Sequence, residues 1–196
     1  LVNGGKLELY SGTITGGVQV GKKGADYQTG SSFTMYGGAI TGNEDYGGVF
    51  LVGTTNHIDP PSFTMHGGTI SNNTAGASDG GGGGVYVGEK CSFTMDGGTI
   101  TGTAGNGGGI YIHFNAGNVS ISNATITGNK ASATGNISNG HGGGIYSERG
   151  VTVKNVTITG NNSTYEGGGI YGKGAITLTD ATAVSYTHLR AHETSL

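Results

Sequence analysis

One block of sequence, repeated at a fixed interval, sets the frame for this chain. Ser-Phe-Thr-Met, one variable residue and Gly-Gly-x-Ile start at Ser32, Ser62 and Ser92, thirty residues apart each time. Self-similarity at such a period belongs to solenoids, where each repeat is one unit stacked on the next. Degenerate copies occupy residues 7–14, 119–126 and 151–158, and a last one starts at Ile176. A second block alternates with the first: Gly-Gly, then Val or Ile, then an aromatic. It occupies residues 47–51, 83–87, 108–112, 143–147 and 168–172. Residues 16–20 form its first version, with Gln19 in the aromatic place.

Each block alternates apolar and polar residues with period two, the signature of a strand. Phe33 and Met35 fall on one side, Ser32 and Thr34 on the other. Segments this short are not stable alone, so each must pair with its copy in the next repeat. In-register parallel pairing gives a coil that rises about 4.8 Å, and a rod roughly 30 Å long. Parallel crossovers are right-handed in nearly all cases. The prediction is an all-β, right-handed, single-stranded parallel β-helix over residues 1–183, with about six coils plus a remnant. Four inward columns follow from the alternation. The first runs Leu7, Phe33, Phe63, Phe93, Val119, Val151, Ile176. The second runs Leu9, Met35, Met65, Met95, Ile121, Val153, Leu178. The third is all isoleucine, from Ile14 to Ile158, and the fourth runs from Val18 to Ile170. The glycine pairs are read as tight corners, where positive φ is common.

Composition agrees. Glycine makes up 44 of 196 residues, proline only 2, and charged residues 11%. Straight-chain helix formers are scarce, which argues against helix. A net charge of −3 with no basic stripe excludes nucleic acid as the expected partner. No apolar run approaches the ~18 residues of a membrane span. Cys91 is the single cysteine, so no internal disulfide is expected.

The chain opens at Leu1 without Met or a signal-like segment, and the start is read as internal to a longer protein. At Val184 the repeat stops. Val184 to Thr194, VSYTHLRAHET, resembles a translated sequencing adapter of the transposase-end type, and residues 184–196 are set aside as a non-native tail. The metal-like spacing of His188 and His192 is discounted with it. Neither end reads as a capping coil, so open sheet edges and end-to-end self-association are expected.

Three residues after the isoleucine column stands a polar one: Asn43, Asn73, Thr103, Asn129, Asn161. Buried amides need partners, and this column is read as a structural ladder. Ile126-Thr127-Gly128-Asn129 alternating with Gly143-Gly144-Ile145-Tyr146 resembles the repeats of polymorphic outer-membrane proteins and related bacterial adhesins. The resemblance covers about residues 7 to 183. Ile stands where that family has Phe in the Asn-containing motif. It implies a parallel β-helix in an extracellular or cell-surface setting, acting as an adhesin or passenger.

The aromatic of the second block is Phe50, Tyr86, Tyr111, Tyr146 and Tyr171. Alternation places it opposite the core, as an exposed ladder along one face. Contiguous exposed aromatic surface suits sugar rings or a partner protein. The alternative is that stacked rings only stabilise the strands, or that loops cover them. Four residues before the inward Val or Ile lies another column, Asp45, Gly81, Asn106, His141, Glu166. His141 and Glu166 fall in adjacent coils, and a His–carboxylate pair can do acid–base work; they are equally turn residues flanking glycines. Gly140-His141-Gly142 resembles one signature of polygalacturonase-type β-helix hydrolases, but that family's paired-aspartate and basic motifs are missing. Glu44, Asp45, Asp59, Asp79, Asp96, Glu148 and Glu166 do not stack into the acidic cluster that a calcium-dependent lyase needs. Gly167 to Gly174 falls short of a phosphate loop, with Gly174 where Ser or Thr must stand. No cofactor or metal is expected. Longer insertions around residues 53–61, 72–82 and 130–141 are the second place for specificity.

The expected function is therefore a secreted or surface-bound bacterial β-helix that binds carbohydrate or a host surface protein. A polysaccharide lyase or hydrolase, or a structural spacer, is the alternative.

Overall fold

In a computed structural model the described residues are 1–22, 30–53, 59–76, 81–105, 107–132 and 140–183. Val184 to Leu196, with His188 and His192, lie outside them, as do Asp79, Asn106 and the centres of the three insertions. The described chain is a parallel β-helix built from short strands. No helix long and apolar enough to cross a membrane occurs among the described residues.

Three faces carry the fold. The first stacks Lys6–Leu9, Ser32–Met35, Ser62–Met65, Ser92–Met95, Val119–Ser122, Val151–Lys154 and Ile176–Thr179 in that order. The second stacks Thr13–Thr15, Ala39–Thr41, Thr69–Ser71, Thr99–Thr101, Thr125–Thr127, Thr157–Thr159 and Thr182–Ala183. The third stacks Val18–Val20, Val49–Leu51, Val85–Val87, Ile110–Ile112, Ile145–Ser147 and Ile170–Gly172. A fourth, short ladder joins Ala104–Gly105, Lys130–Ala131 and Asn162–Ser163 between the second and third faces. The order gives six coils and a remnant, as the repeat predicts.

Register follows the repeat residue by residue. Phe33 pairs with Phe63 and Met35 with Met65, then Phe63 with Phe93 and Met65 with Met95. Ile100 sits between Ile70 and Ile126. The inward columns are the core: Phe33, Met65, Ile100, Ile110 and Val153 are almost wholly removed from water. Phe33, Phe63 and Phe93 stack with centroids 4.8 and 5.3 Å apart. The columns open at the first and last coils, where Leu7, Leu9 and Ile14 are partly buried and Leu178 is 46% exposed.

The asparagine column is a structural ladder, as read from sequence. Asn73, Thr103, Asn129 and Asn161 are buried. The three buried amides donate back to the isoleucine carbonyl one coil earlier, Asn73 to Ile40, Asn129 to Ile100 and Asn161 to Ile126, at 2.8–3.1 Å, while Asn43 donates to the Gly16 carbonyl. The Oδ1 of Asn73, Asn129 and Asn161 accepts the backbone N–H of the ladder residue before it, as Asn161 does from Asn129 at 3.0 Å. The residue just before the ladder turns through positive φ at Gly42, Asn72, Gly102, Gly128 and Gly160. Asparagine tolerates that region and can replace glycine there.

The glycine pairs are of two kinds: Gly38, Gly68 and Gly98 of the first block turn through positive φ as expected, whereas those ahead of the third face do so only at Gly16, Gly17 and Gly47. The pair ahead of the third face is not mainly a turning device. A Cβ on Gly84, Gly109 or Gly144 would lie 2.5 Å from the carbonyl oxygen of Gly109, Gly144 or Gly169 respectively. On Gly144 it would also meet Asn161 Nδ2 at 3.0 Å and Ile158 Cγ2 at 3.1 Å. These glycines let one coil lie against the next and make room for the isoleucine and asparagine columns. That contact explains why the two sequence blocks travel together.

Candidate functional site

The third face carries the aromatic ladder. Val49, Val85, Ile110, Ile145 and Ile170 point inward, so the next residue points out. In-register pairing then sets each ring over the next: Phe50 with Tyr86, Tyr86 with Tyr111, Tyr111 with Tyr146, Tyr146 with Tyr171. Centroids are 4.6, 5.2, 5.0 and 5.4 Å apart, with planes within 24° of parallel. All five predicted ring positions are brought together.

Their exposure differs from expectation. Phe50, Tyr86, Tyr111 and Tyr171 are half-buried, and Tyr146 is only 6% exposed. The cause is the stacking itself. Each inner ring has its faces covered by its neighbours, so edges and hydroxyls are what reach the surface. Aromatic pairs contribute about 0.5–1.5 kcal/mol each, so four contacts stabilise the solenoid by about 2–6 kcal/mol. The stack is thus accounted for by stability alone. Whatever ligand role it has lies at its edges and ends.

At the Tyr171 end, residues that the sequence reading did not single out border the ladder. The position after the third-face strand holds His113, Glu148 and Lys173 in successive coils. Lys173 Nζ lies 2.9 Å from Glu148 Oε1 and 5.6 Å from the centre of the Tyr146 ring. The Phe114 N–H donates to Glu148 Oε2 at 3.4 Å. Burial works against the charged form of Glu148, yet hydrogen bonds from Lys173 and Tyr111 hold its carboxyl below the ordinary value. Burial, and then the Glu148 charge, push the Tyr111 hydroxyl up. Tyr146 is raised by burial, and Lys173 is raised by its bonds to Tyr146 and Glu148. These shifts hold each group more firmly in its usual neutral-pH form. The network orients the ladder edge; it is not tuned for proton transfer, which calls for a pKa near the working pH.

His141 and Glu166 lie in adjacent coils as read, linked through the Gly142 N–H and the Glu166 carbonyl at 3.0 Å. The His141 ring packs into the aromatic end of the ladder, 4.6 Å from Tyr171 and 5.6 Å from Tyr165. Among the described residues no group of three His, Cys, Asp or Glu is placed to hold a metal. Cys91 is buried just before a first-face strand, and burial pushes its thiol up to about 12, which suits packing rather than nucleophilic chemistry.

At the Phe50 end the ladder opens into a groove of about 500 Å³. Gln19, Tyr46, Phe50, Tyr86, Glu89 and His113 line it with Leu51, Val52, Gly53 and Gly88. Gln19, in the aromatic place of the first coil, pairs with Phe50 and ends the stack. Tyr46 meets Phe50 at 49°, centroids 5.5 Å apart, so the rings form a corner.

A second, smaller stack escaped the sequence reading. It uses the variable residue of the first block, at the corner between the first two faces. Tyr10, Tyr36 and His66 stack at 4.7 and 5.1 Å, and His66 Nδ1 lies 2.8 Å from Asp96 Oδ1. Tyr10 is 64% exposed and Tyr36 44%. The signal was present as two tyrosines and a histidine at one repeat position, hidden because that position also holds Asp96, Asn123 and Asn155.

Comparison of the chain with known protein families, with curated proteins and with solved structures finds no match. The fold and the site geometry define the class: a parallel β-helix solenoid with an aromatic ladder on one face.

Proposed function

We propose that this chain is a segment of a secreted or cell-surface bacterial β-helix that binds carbohydrate through its third face. The observation that carries the reading is the groove at the Phe50 end, where aromatic surface and hydrogen-bonding side chains converge. Ligand sites are typically concave, largely apolar, and set with a few placed polar groups. Gln19, Glu89 and His113 are those groups here. The ladder continues from the groove as a row of tyrosine edges and hydroxyls, along which an extended chain of sugars can lie. The resemblance to bacterial adhesin repeats supports the extracellular setting.

The test is a panel of immobilised glycans probed with the native chain and with Phe50→Ser. The expected result is binding to a subset of the panel, weakened about tenfold or more by the substitution, with no sugar released. Sugar release that disappears in His141→Ala or Glu166→Ala would replace this reading with a hydrolase or lyase. Binding to a protein partner instead would shift the ligand class, and the absence of any ligand would leave a spacer.

A further inference from the structure

The groove has a chemical bias that the rest of the ladder lacks. Along the ladder the ring faces are covered by one another. At the Phe50 end the parallel stack breaks: Tyr46, 49% exposed, meets Phe50 at 49°, and Tyr86 continues behind it. The exposed Tyr46 ring at that corner offers an aromatic face to the groove, and such faces attract cations.

A carboxylate stands in the same groove. Glu89 is the one acidic side chain among the described lining residues, and no lysine or arginine lines it. Asn115 fixes that carboxylate, its Nδ2 donating to Glu89 Oε1 at 2.6 Å. The same residue fixes His113: the Asn115 backbone N–H donates to His113 Nδ1 at 3.2 Å. Glu44 and Asp45, exposed, directly precede Tyr46 in the chain; Lys90, beside Glu89, is exposed and outside the lining.

We infer that this groove is a binding site for an organic ammonium group, held by the Tyr46–Phe50 corner and countered by Glu89. The inference rests on the carbohydrate reading only in assuming that the third face meets a ligand, and it names the part of the ligand that enters the groove. Two sources supply that chemistry: the free amino group of an amino sugar, and the trimethylammonium of a choline-bearing glycan. Acidic sugars are disfavoured by Glu89.

Glucosamine, choline chloride, glucose and glucuronate are titrated into the native chain. Affinities are read by calorimetry, because only Tyr46 and Tyr86 of the chain's ten tyrosines line the groove. The expected result is that glucosamine or choline binds about tenfold or more tighter than glucose, and glucuronate weakest. A choline preference points to the trimethylammonium source, a glucosamine preference to the amino sugar. Glu89→Gln and Tyr46→Ala each abolish that preference while Tyr46→Phe keeps it, all three with native melting temperatures. Equal binding of glucose and glucosamine, or a preference that survives Glu89→Gln, overturns the inference. Choline binding without any glycan binding keeps the ammonium site and removes the carbohydrate reading. Neutral-glycan binding without ammonium preference does the reverse.

Discussion

Asn129 is buried and makes its bonds in two directions. Its Oδ1 accepts from the Thr103 backbone N–H at 3.2 Å and from the Thr103 hydroxyl at 2.7 Å. Its Nδ2 donates to the Ile100 carbonyl at 3.1 Å and to Asn161 Oδ1 at 2.9 Å. Truncation leaves buried groups in adjacent coils without partners, at about 1–3 kcal/mol for each. Asn129→Ala is therefore expected to destabilise the chain by about 3 kcal/mol or more in chemical denaturation. Asn43, half-buried at the ladder's first rung, should cost nearer 1 kcal/mol, about one ordinary hydrogen bond. The column itself was legible from spacing, three residues after each isoleucine. So was a bond to the neighbouring copy, which Asn129 and Asn161 make; the donation to main-chain carbonyls of the previous coil was not, a contact only the stacked backbone defines. Glu148 gives a second residue-scale test. Its folded pKa lies below the ordinary value, so its contribution is present above the unfolded pKa and lost as pH falls through the folded one. Between neutral and acid pH the melting temperature of Glu148→Gln should fall less steeply than that of the native chain.

At the scale of the strand and its turns, glycine decides how closely the coils approach. Gly144 faces Gly169 O, Asn161 Nδ2 and Ile158 Cγ2 within 3.1 Å of where a Cβ would stand. None of those atoms is the free end of a flexible chain. Gly144→Ala is expected to cost about 2–4 kcal/mol by displacing the next coil. Gly5, with nothing within 4 Å of its own Cβ position, should tolerate alanine within about 0.5 kcal/mol. Thermal melts of the two variants, side by side, check the contrast. Sequence periodicity located every third-face strand and every ring of the ladder, because alternation and register are local properties of the repeat. It could not give the burial of Tyr146, which depends on Tyr111, Tyr171 and Lys173 from neighbouring coils. Nor could it show that the glycine pairs serve coil-to-coil contact, since a corner glycine and a contact glycine look alike in a sequence.

The whole molecule is a rod whose sides differ. The first two faces present mostly serine and threonine outward, from Ser32 and Thr34 to Thr157 and Thr159, where Thr127 Oγ1 and Thr159 Oγ1 lie 3.3 Å apart. Among the described residues the third face carries the longest outward aromatic stack, with a polar network at one end and a groove at the other. The corner stack of Tyr10, Tyr36 and His66 is more exposed, yet it is short, three rings against the five of the third face. Ligand contact is therefore expected on the third face and not at the corner. The measurement that tests this most directly is hydroxyl-radical footprinting of the tyrosines, with and without a glycan that binds in the panel. The account predicts protection of Tyr46, Tyr86 and Tyr111 on ligand addition, with Tyr10 and Tyr36 unchanged. Protection of Tyr10 and Tyr36 with the third face unchanged would contradict it.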